Sequence, residues 1–595
     1  MSLPHKLIEQ RLQKAVQAVL PDADVSSVRV RPCPDPKFGD YQTNALMALA
    51  KARKMNPRQL ATDVTAKLDV SDICEPVEIA GAGFLNFRLK ASAVADTLNA
   101  AARGEQLFFD KADQPRTVVV DFSSPNVAKP MHVGHIRSTI LGDSLARVLR
   151  LLGHRVITDN HLGDWGTQFG MLIVGWKTIL DQAALRADPL REMDRVYKII
   201  SAKCDLKKPE FDQATRERAG AELVRLQSGD PENLGIWGEM IRLSQAQFDA
   251  IYGRLGIRFD HTLGESFYNL RLQGIVDELV GRGLARESKG AIAVFSDGSL
   301  PPKEDPFLVQ KEGEWVAQPF IIRKTDSGFN YGTTDLATLQ HRLSEWRADE
   351  IVYVTDARQQ LHFRQLFATF GRWHPEAKGA LAHVTFGSIL GEDGTPFKTR
   401  TGETIRLSDL LDEAEERAYK IVSEKNPELA ESERRSIASV VGIGAVKYAD
   451  LLPNRQSDYV FDWDKILAFD GNTAVYLLYA YARIRSIFRK AHKEGLDSRT
   501  PQAAIVLPTL HEQELAKHLL NFGLVLDAVA SEYRPNFLSN YLYELAGHFT
   551  GFFENCPVLK SEPTQRASRL MLCDLTARVL KQGLNLLGIE TLEQM

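Results

Sequence analysis

The sequence contains few cysteines. Its 595 residues include five, and no two of them have the C-x-x-C spacing. They are Cys33, Cys74, Cys204, Cys556 and Cys573. This scatter supports neither a disulfide scaffold nor a structural zinc site. We therefore expect the protein to work in a reducing compartment, the cytoplasm.

Long apolar runs are also absent. The first residues, MSLPHKLIEQRLQ, carry charges where a secretory signal needs an apolar core. No segment approaches the roughly 18–20 apolar residues that a membrane-spanning helix requires. We expect a soluble protein that is not exported and has no membrane partner.

The chain has no excess of positive charge. Lys and Arg total 73 against 77 Asp and Glu, which gives a net charge of −4. This balance argues against a uniformly basic surface for nucleic acid, although a local basic patch remains compatible with it. With 44% hydrophobic and 25% charged residues, the composition is that of a folded globular protein and excludes a disordered or fibrous chain.

One segment has the pattern of a doubly wound parallel sheet. TVVVDF (117–122) is a continuous apolar run typical of a buried strand, and the turn residues SSPN follow it. An amphipathic helix then ends near Gly153, and HRVITDNH predicts a second strand. In such folds, ligands bind beyond the carboxyl ends of the strands.

The length predicts several domains. We expect a multidomain α/β protein in which a Rossmann-type domain is flanked by two others. The predicted domains are a small α+β domain (1–112), the Rossmann-type domain (113–407) with a helical insertion at about 180–260, and an all-helical domain (408–595).

The chemistry is predicted to lie directly after the first strand of this sheet. There the sequence reads SSPNVAKPMHVGH, and an H-x-G-H string is expected by chance about 0.02 times in a chain of this composition. Unpaired N–H groups at a helix N-terminus suit phosphate, and two imidazoles can donate hydrogen bonds to a reacting α-phosphate. Gly134 would let a flat base or ribose approach the backbone. The alternatives are a pair of surface or capping histidines and a metal site, for which no third ligand is near in sequence.

These residues resemble the first signature of the class I aminoacyl-tRNA synthetases. The longer string SSPNVAKPMHVGHIRSTI is similar to the arginyl-tRNA synthetase version. Further segments resemble other parts of that family, over the whole chain. They are GDYQTNALMALAK, GAGFLNF, GES (264–266), FNYGTTDLA, YARIRSIFRK and LGIETLEQM.

The resemblance implies a ligase that works in two steps. Arginine would attack the α-phosphate of ATP, supplied with Mg²⁺, to give arginyl-adenylate, and the 3′ end of tRNA(Arg) would then accept the arginyl group. The first and last domains would contact tRNA, the last at the anticodon. No tightly bound cofactor, metal site, DNA partner or covalent intermediate is implied, and a monomer is expected.

The resemblance also assigns candidate residues for binding the substrates. His132, Gly134 and His135 would bind ATP and take part in catalysis, and His135 would reach arginine too. Arginine itself would be held by residues that match the family positions, with Glu265 the least direct match. These are Ser124, Asn126, Tyr331, Asp335, Gln359 and Glu265. Tyr331 and Asp335 are four residues apart, so on a helix they share a face and could clamp a guanidinium.

The second class I signature, K-M-S-K, is missing. Its place reads GEDGTPFKTRTGETIRL, which offers Lys398 and Arg400. We expect Lys398 to contact ATP. We also expect Lys129, three residues before His132, to supply part of the charge that neutralises pyrophosphate; the alternative is a solvated loop lysine.

Candidate RNA contacts lie in the two flanking domains. Phe84 and Asn86 of GAGFLNF match positions that contact tRNA in relatives, whereas a phenylalanine in an alternating strand usually belongs to a core. In the last domain, Tyr476 and Arg483 belong to a stripe of aromatic and basic residues. The stripe also contains Tyr479, Tyr481 and Arg485, and part of it must pack against neighbouring helices.

Three other functions are alternatives for the H-x-G-H string and its context. A small-molecule nucleotidyltransferase would not need the flanking domains. A class I synthetase for another amino acid would not be expected to place Tyr331 and Asp335 together, because that pair favours a cationic side chain. A non-catalytic RNA-binding relative is disfavoured by the intact signature residues.

Overall fold

The computed structural model describes residues 3–104, 107–325, 328–397, 404–496 and 504–595. The chain divides into two compact units. Residues 112–465 form the central unit, and residues 1–111 together with 466–595 form the flanking unit. The three-domain boundaries given above stay a prediction.

The flanking unit begins with an antiparallel sheet and four helices. Its elements are α1 (Pro4–Val19), β1 (Arg31–Pro32), β2 (Tyr41–Thr43), α2 (Ala45–Ala52), α3 (Pro57–Thr65), β3 (Glu78–Ala80), β4 (Phe84–Phe87) and α4 (Ala91–Arg103). The strand order is β1-β2-β4-β3, so GAGFLNF supplies an interior strand. Leu85 and Phe87 of β4 are fully buried, as are Ile8 and Leu12 of α1. The predicted α+β character is confirmed.

The central unit is built on a parallel sheet with the order β13-β12-β5-β6. Its first elements are β5 (Thr117–Asp121), α5 (Val133–Leu151) and β6 (Arg155–Asp159). Val118, Val119 and Val120 are completely buried, which explains the unbroken apolar run in β5. Gly153, at φ +90°, ends the turn after α5 because its missing Cβ permits that conformation.

Helices and small antiparallel sheets are inserted before the third sheet strand. They comprise α6 (Gln168–Thr178), α7 (Gln182–Ala187), α8 (Pro189–Cys204), α9 (Gln213–Gln227), α10 (Pro231–Arg254), α11 (Leu272–Gly281), β7 (Ala285–Ser288), β8 (Ala291–Val294), β9 (Leu308–Lys311), β10 (Glu314–Ala317) and β11 (Phe320–Arg323). A 3-10 helix, Glu265–Arg271, precedes α11. The stretch from α6 to α10 holds no strand, as the charged, helical sequence predicts.

The rest of the central unit completes the sheet and adds two long helices. Its elements are α12 (Tyr331–Ser344), β12 (Glu350–Asp356), α13 (Gln360–Trp373), β13 (Ala380–Phe386), β14 (Ile389–Leu390), α14 (Leu407–Lys425), α15 (Glu431–Leu451), β15 (Tyr459–Val460) and α16 (Trp463–Ile466). Helices α14 and α15 pack on each other and on α5. The Rossmann-type architecture is thus confirmed.

Five helices complete the flanking unit. They are α17 (Ala474–Lys493), α18 (Leu510–Leu519), α19 (Phe522–Glu532), α20 (Asn536–Asn555) and α21 (Pro563–Leu586). This confirms the helical C-terminal domain. Among the described residues, no helix is both long enough and apolar enough to cross a membrane.

Candidate active site

The loop after β5 is held in an unusual backbone conformation. Ser123, Ser124 and Ala128 have φ values of 72°, 49° and 63°, a region that costs a non-glycine residue roughly 1 kcal/mol. Each of their backbone N–H groups donates to a side chain from another element. The acceptors are Ser138 Oγ of α5 (2.9 Å), Asn160 Oδ1 after β6 (3.0 Å) and Ser244 Oγ of α10 (2.9 Å). The surrounding structure therefore fixes the path of the loop into α5.

A buried arginine ties the strand ends together beneath this loop. Arg342 of α12, which is inaccessible to solvent, donates to Asp121 Oδ2 of β5 (2.6 Å) and to Asp159 Oδ2 of β6 (2.7 Å). Its guanidinium lies over the ring of Tyr353 in β12, 5.2 Å from the centroid. One side chain thus joins the carboxyl ends of β5 and β6 to the middle of β12, at the edge where the sequence predicts the site.

His132 and His135 form the N-terminal cap of α5. The backbone N–H of Gly134 donates to Nδ1 of His132 (3.1 Å), and the backbone N–H of His132 donates to Nδ1 of His135 (3.1 Å). The two ring centroids are 4.0 Å apart. A Cβ at Gly134 would lie 2.9 Å from Cε1 of His132, so the glycine leaves room for this folded-back ring.

These contacts determine where the rings carry their protons. Because both Nδ1 atoms accept hydrogen bonds, the neutral rings carry hydrogen on Nε2. Burial lowers the pKa of His135 to about 3. Burial, followed by the charges of Arg358 and Lys129, lowers the pKa of His132. Near neutral pH, both rings are therefore neutral Nε2–H donors.

The backbone of α5 contributes less than the sequence suggests. The N–H groups of Val133, Gly134 and His135 are already used, by Ile405 O (2.9 Å), His132 Nδ1 (3.1 Å) and His132 O (2.8 Å). The expectation of unpaired N–H groups in this first turn is wrong, because the histidine cap and residue 405 take them. A phosphate at this position would therefore meet the imidazoles and nearby cations rather than free backbone N–H groups.

Lys129 lies beside this cap. Its Nζ is 4.5 Å from the ring centroid of Tyr197 in α8, a cation–π contact, and its charge contributes to the lowered pKa of His132. The side chain is half-buried. Tyr197 has no signal in the sequence, because α8 is separated from the motif by more than fifty residues.

The segment that follows the K-M-S-K position forms backbone hydrogen bonds with the H-x-G-H segment. The N–H of Leu407 donates to Met131 O (2.9 Å), and His132 and Arg406 form an antiparallel bridge. Arg406 also pairs with Asp188, the N-cap of α8, at 3.0 Å. Lys398 and Arg400 lie outside the described residues, so the ATP contact of Lys398 stays a prediction.

A pocket of about 240 Å³ is lined by several of the predicted arginine ligands. Asn126, Glu265 and Tyr331 line it, together with Trp165 and Gln168. Oε2 of Glu265 accepts the backbone N–H of Trp165 at 3.3 Å. Burial raises the pKa of Glu265, and the nearby negative charge of Asp335 raises it further.

Asp335 has a partner that the sequence did not reveal. Nε2 of His362 in α13 lies 2.6 Å from Oδ2 of Asp335, and the His362 ring is 4.7 Å from that of Tyr331. The structure therefore brings Tyr331 and Asp335 to one face of α12, as their spacing predicts, and adds His362. The sequence alone does not indicate that His362 pairs with Asp335, because this contact depends on how α13 packs against α12.

The other predicted arginine ligands lie at the same edge of the sheet. Ser124 donates from Oγ to Oδ1 of Asp121 (3.0 Å), so its hydroxyl already holds the strand end. Asn126 is exposed and pairs with Gly163, whose missing Cβ leaves room for the Asn126 amide. Gln359 is exposed just after β12, and its side chain makes no hydrogen bond among the described residues.

The candidate RNA contacts differ in exposure. Phe84 is half-buried, whereas Asn86 is 4% exposed and its Oδ1 has no hydrogen-bond partner among the described residues. Tyr476 is half-buried against Tyr543 (5.6 Å between centroids). Arg483 lies over Phe553 at 4.9 Å. Phe84, Tyr476 and Arg483 are therefore exposed enough to contact RNA at the surface. Asn86 is buried, and it could contact RNA only if its side chain became exposed.

Within the described part of the chain, no three His, Cys, Asp or Glu side chains cluster in a way that could hold a metal ion. Glu265 lines the pocket, and Asp335, whose charge acts on Glu265, pairs with His362. Their arrangement suits an organic cation.

Comparison with known proteins is consistent along the whole chain. Residues 97–463 match the catalytic domain of class I (R) tRNA synthetases, residues 5–89 match the arginyl tRNA synthetase N terminal domain, and residues 477–595 match the DALR anticodon binding domain.

Individual relatives agree with these matches. An arginine–tRNA ligase from Laribacter hongkongensis is 45% identical over 600 residues, covering 100% of both chains. One from Chromobacterium violaceum is 45% identical over 99% of this chain and 100% of its own. The crystal structure of arginyl-tRNA synthetase from Plasmodium falciparum matches with a TM-score of 0.80 and 29% identity over 100% of both chains. The structure of the Thermus thermophilus arginyl-tRNA synthetase matches with a TM-score of 0.80 and 26% identity, covering 99% of this chain and 100% of its own. The chain therefore belongs to the arginyl-tRNA synthetase family of the class I aminoacyl-tRNA synthetases.

Proposed function

We infer that the chain activates L-arginine with ATP to arginyl-adenylate and transfers the arginyl group to the 3′ end of tRNA(Arg). The observation that carries this inference is the presence of two complementary sites at one sheet edge. One presents two neutral imidazole donors, and the other is lined by Glu265 beside Asp335. The first suits phosphate, and the second suits a guanidinium.

The first step would proceed by positioning and charge stabilisation. A carboxylate oxygen of arginine attacks the α-phosphorus of ATP, and the bond to pyrophosphate breaks. The Nε2–H groups of His132 and His135 can donate to phosphate oxygens as negative charge shifts toward pyrophosphate. Lys129 would add a positive charge on the same side, and Mg²⁺ would enter with ATP as part of the substrate.

The second step transfers the arginyl group to RNA. A hydroxyl of the terminal ribose attacks the carbonyl carbon of the adenylate, and AMP and a proton are released. Phe84, Asn86, Tyr476 and Arg483 of the flanking unit are the proposed tRNA contacts. Their support is the resemblance of their segments to the family and, for three of them, partial exposure.

The test is pyrophosphate exchange with each of the twenty amino acids, in the presence and absence of tRNA. Exchange is expected with arginine alone and only when tRNA(Arg) is bound. Robust exchange with a different amino acid would overturn the specificity. Formation of arginyl-tRNA from labelled arginine then checks the transfer step.

We also propose that the protein acts as a monomer in the cytoplasm. The scattered cysteines favour a reducing compartment. Sedimentation analysis of the purified protein should give a mass near 66.5 kDa, and a concentration-independent dimer would contradict the monomer.

A further inference from the structure

Glu265, which lines the pocket, and Asp335, on the helix α12 that also carries Tyr331, each have one carboxylate oxygen bound by the protein. Oδ2 of Asp335 lies 2.6 Å from Nε2 of His362, and Oε2 of Glu265 accepts the N–H of Trp165 at 3.3 Å. The remaining oxygens, Oδ1 of Asp335 and Oε1 of Glu265, have no hydrogen-bond partner among the described residues. Each of these two carboxylates, which lie close enough for the charge of Asp335 to act on Glu265, therefore keeps one free oxygen.

His362 is itself firmly placed. It lies in the first turn of α13, and its ring contacts those of Phe320 (5.6 Å), Tyr331 (4.7 Å) and Phe363 (5.3 Å). Its side chain is only 14% exposed, and that of Asp335 is 20% exposed. A ring enclosed on several sides has few rotamers available, so it can hold the carboxylate in one orientation.

We propose that His362 is a positioning residue for arginine, acting through Asp335. By binding Oδ2, it leaves Oδ1 for the guanidinium, which is then held between Asp335 and Glu265 rather than side-on by one carboxylate. Without this contact, Asp335 is free to rotate about its χ angles, and the geometry that matches the guanidinium fork is lost. The inference rests on the proposed function, because it concerns the same amino-acid pocket.

Two substitutions at this position separate the hydrogen bond from packing. His362→Phe keeps a ring against Tyr331, Phe320 and Phe363 but removes the donor. His362→Gln keeps an amide N–H donor. Leu361→Ala is the matched control, because Leu361 precedes His362 on α13 and is 40% exposed.

The variants are compared in tRNA aminoacylation, with arginine and ATP varied separately. His362→Phe is expected to raise the KM for arginine about tenfold, the effect of losing a hydrogen bond to a charged group, with kcat and the KM for ATP within about threefold. His362→Gln is expected to recover most of the loss, and Leu361→Ala should match wild type. An unchanged KM for arginine in His362→Phe, or an equal loss in His362→Gln, would overturn the proposal.

A double-mutant cycle with Asp335→Asn tests whether His362 acts through that carboxylate. Arginine binding is measured by calorimetry on the full chain, so the result does not depend on turnover. Once Asp335 is replaced, His362→Phe should weaken binding no further. Additive losses would show that His362 acts independently of Asp335 and would refute the proposal. Failure of wild type to exchange pyrophosphate with arginine would instead refute the proposed function.

Discussion

At the residue scale, the proposed catalysis depends on keeping two histidines neutral. The pKa of His135 is lowered to about 3 by burial, so its ring keeps the Nε2–H tautomer across the physiological range. Neutral donors stabilise a developing negative charge without taking part in proton transfer. The cation beside them, Lys129, would then have a separate task under the proposed function, to balance the charge of the departing pyrophosphate.

Replacement of Lys129 tests that task. Lys129→Ala is expected to slow arginine-dependent pyrophosphate exchange by roughly 100-fold, as removal of one transition-state contact often does, with arginine affinity nearly unchanged. Lys198→Ala is the control, because Lys198 is an exposed lysine on α8. Exchange within twofold of wild type would show that Lys129 is a solvated loop lysine.

Glu265 should make arginine binding dependent on pH. Burial and the charge of Asp335 raise its pKa, so Glu265 becomes protonated earlier than an ordinary glutamate as pH falls. The Kd for arginine, measured calorimetrically, is expected to rise with falling pH in wild type. The Glu265→Gln variant should bind arginine weakly at every pH, and it should lack the rise in Kd that protonation of Glu265 causes.

The same group affects stability in the opposite direction. With a raised pKa, the folded state binds more protons than the unfolded state, so stability decreases as pH rises from the ordinary pKa through the raised one. Glu265→Gln is therefore expected to raise the Tm at neutral pH. A lower Tm at pH 7 would contradict a destabilising buried carboxylate.

At the element scale, sequence periodicity predicts the sheet well and some isolated strands poorly. TVVVDF predicts β5, and the helix ending near Gly153 corresponds to α5. The alternating run VSSVRVRP (25–32) also predicts a strand, but only Arg31–Pro32 pair in a sheet. The reason is a side chain from another element, since Glu9 of α1 accepts the backbone N–H of Val30 (2.9 Å).

The site shows the same limit. His132, Gly134 and His135 are close in sequence, so one motif predicts them together. His362 and Asp335 lie on two different helices and are 27 residues apart in the sequence. Arg342 and the strand end at Asp121 are 221 residues apart. Local patterns indicate elements, whereas such pairs depend on how the elements pack.

A buried ion pair joins α5 to elements far from it in sequence. Arg137, two residues after His135, pairs with Asp450 of α15 at 2.9 Å, and both side chains are essentially inaccessible. Arg137 also donates to the carbonyls of Gly387 (2.8 Å) and Ser457 (3.1 Å), which flank the short sheet of β14 and β15. Burial raises the pKa of Asp450, and its ionised form depends on Arg137.

Removing one partner should therefore cost more than removing both charges. Arg137→Met leaves Asp450 buried and unpaired, and is expected to destabilise the central unit by about 3–5 kcal/mol. The double variant with Asp450→Asn keeps an acceptor in place without the charge, and should unfold at a higher temperature than Arg137→Met. Calorimetric unfolding measures both, and a double variant less stable than the single one would contradict the argument.

At the scale of the whole molecule, the two ends of the chain form one unit. Asp40 pairs with Lys517 at 2.9 Å, and the Tyr41 hydroxyl donates to Oδ1 of Asn521 at 3.1 Å across 480 residues. The proposed RNA contacts from both ends thus share a common scaffold. The net charge of −4 is compatible with this arrangement, because local surfaces rather than total charge would hold the RNA.

Gly523 of α19 tests whether this scaffold matters for RNA binding. Its N–H donates to Phe108 O (2.8 Å), and a Cβ would lie 2.4 Å from that oxygen. Gly523→Ala is therefore expected to destabilise the flanking unit by about 1–3 kcal/mol, the usual effect of overpacking, and to weaken tRNA binding several-fold. Gly547→Ala in α20 is the control, since a Cβ there meets no atom within 4 Å and alanine favours the helix. Filter binding of tRNA and thermal unfolding should distinguish the two variants. Equal tRNA affinity for both would show that the contact between the chain ends is not needed to hold the RNA.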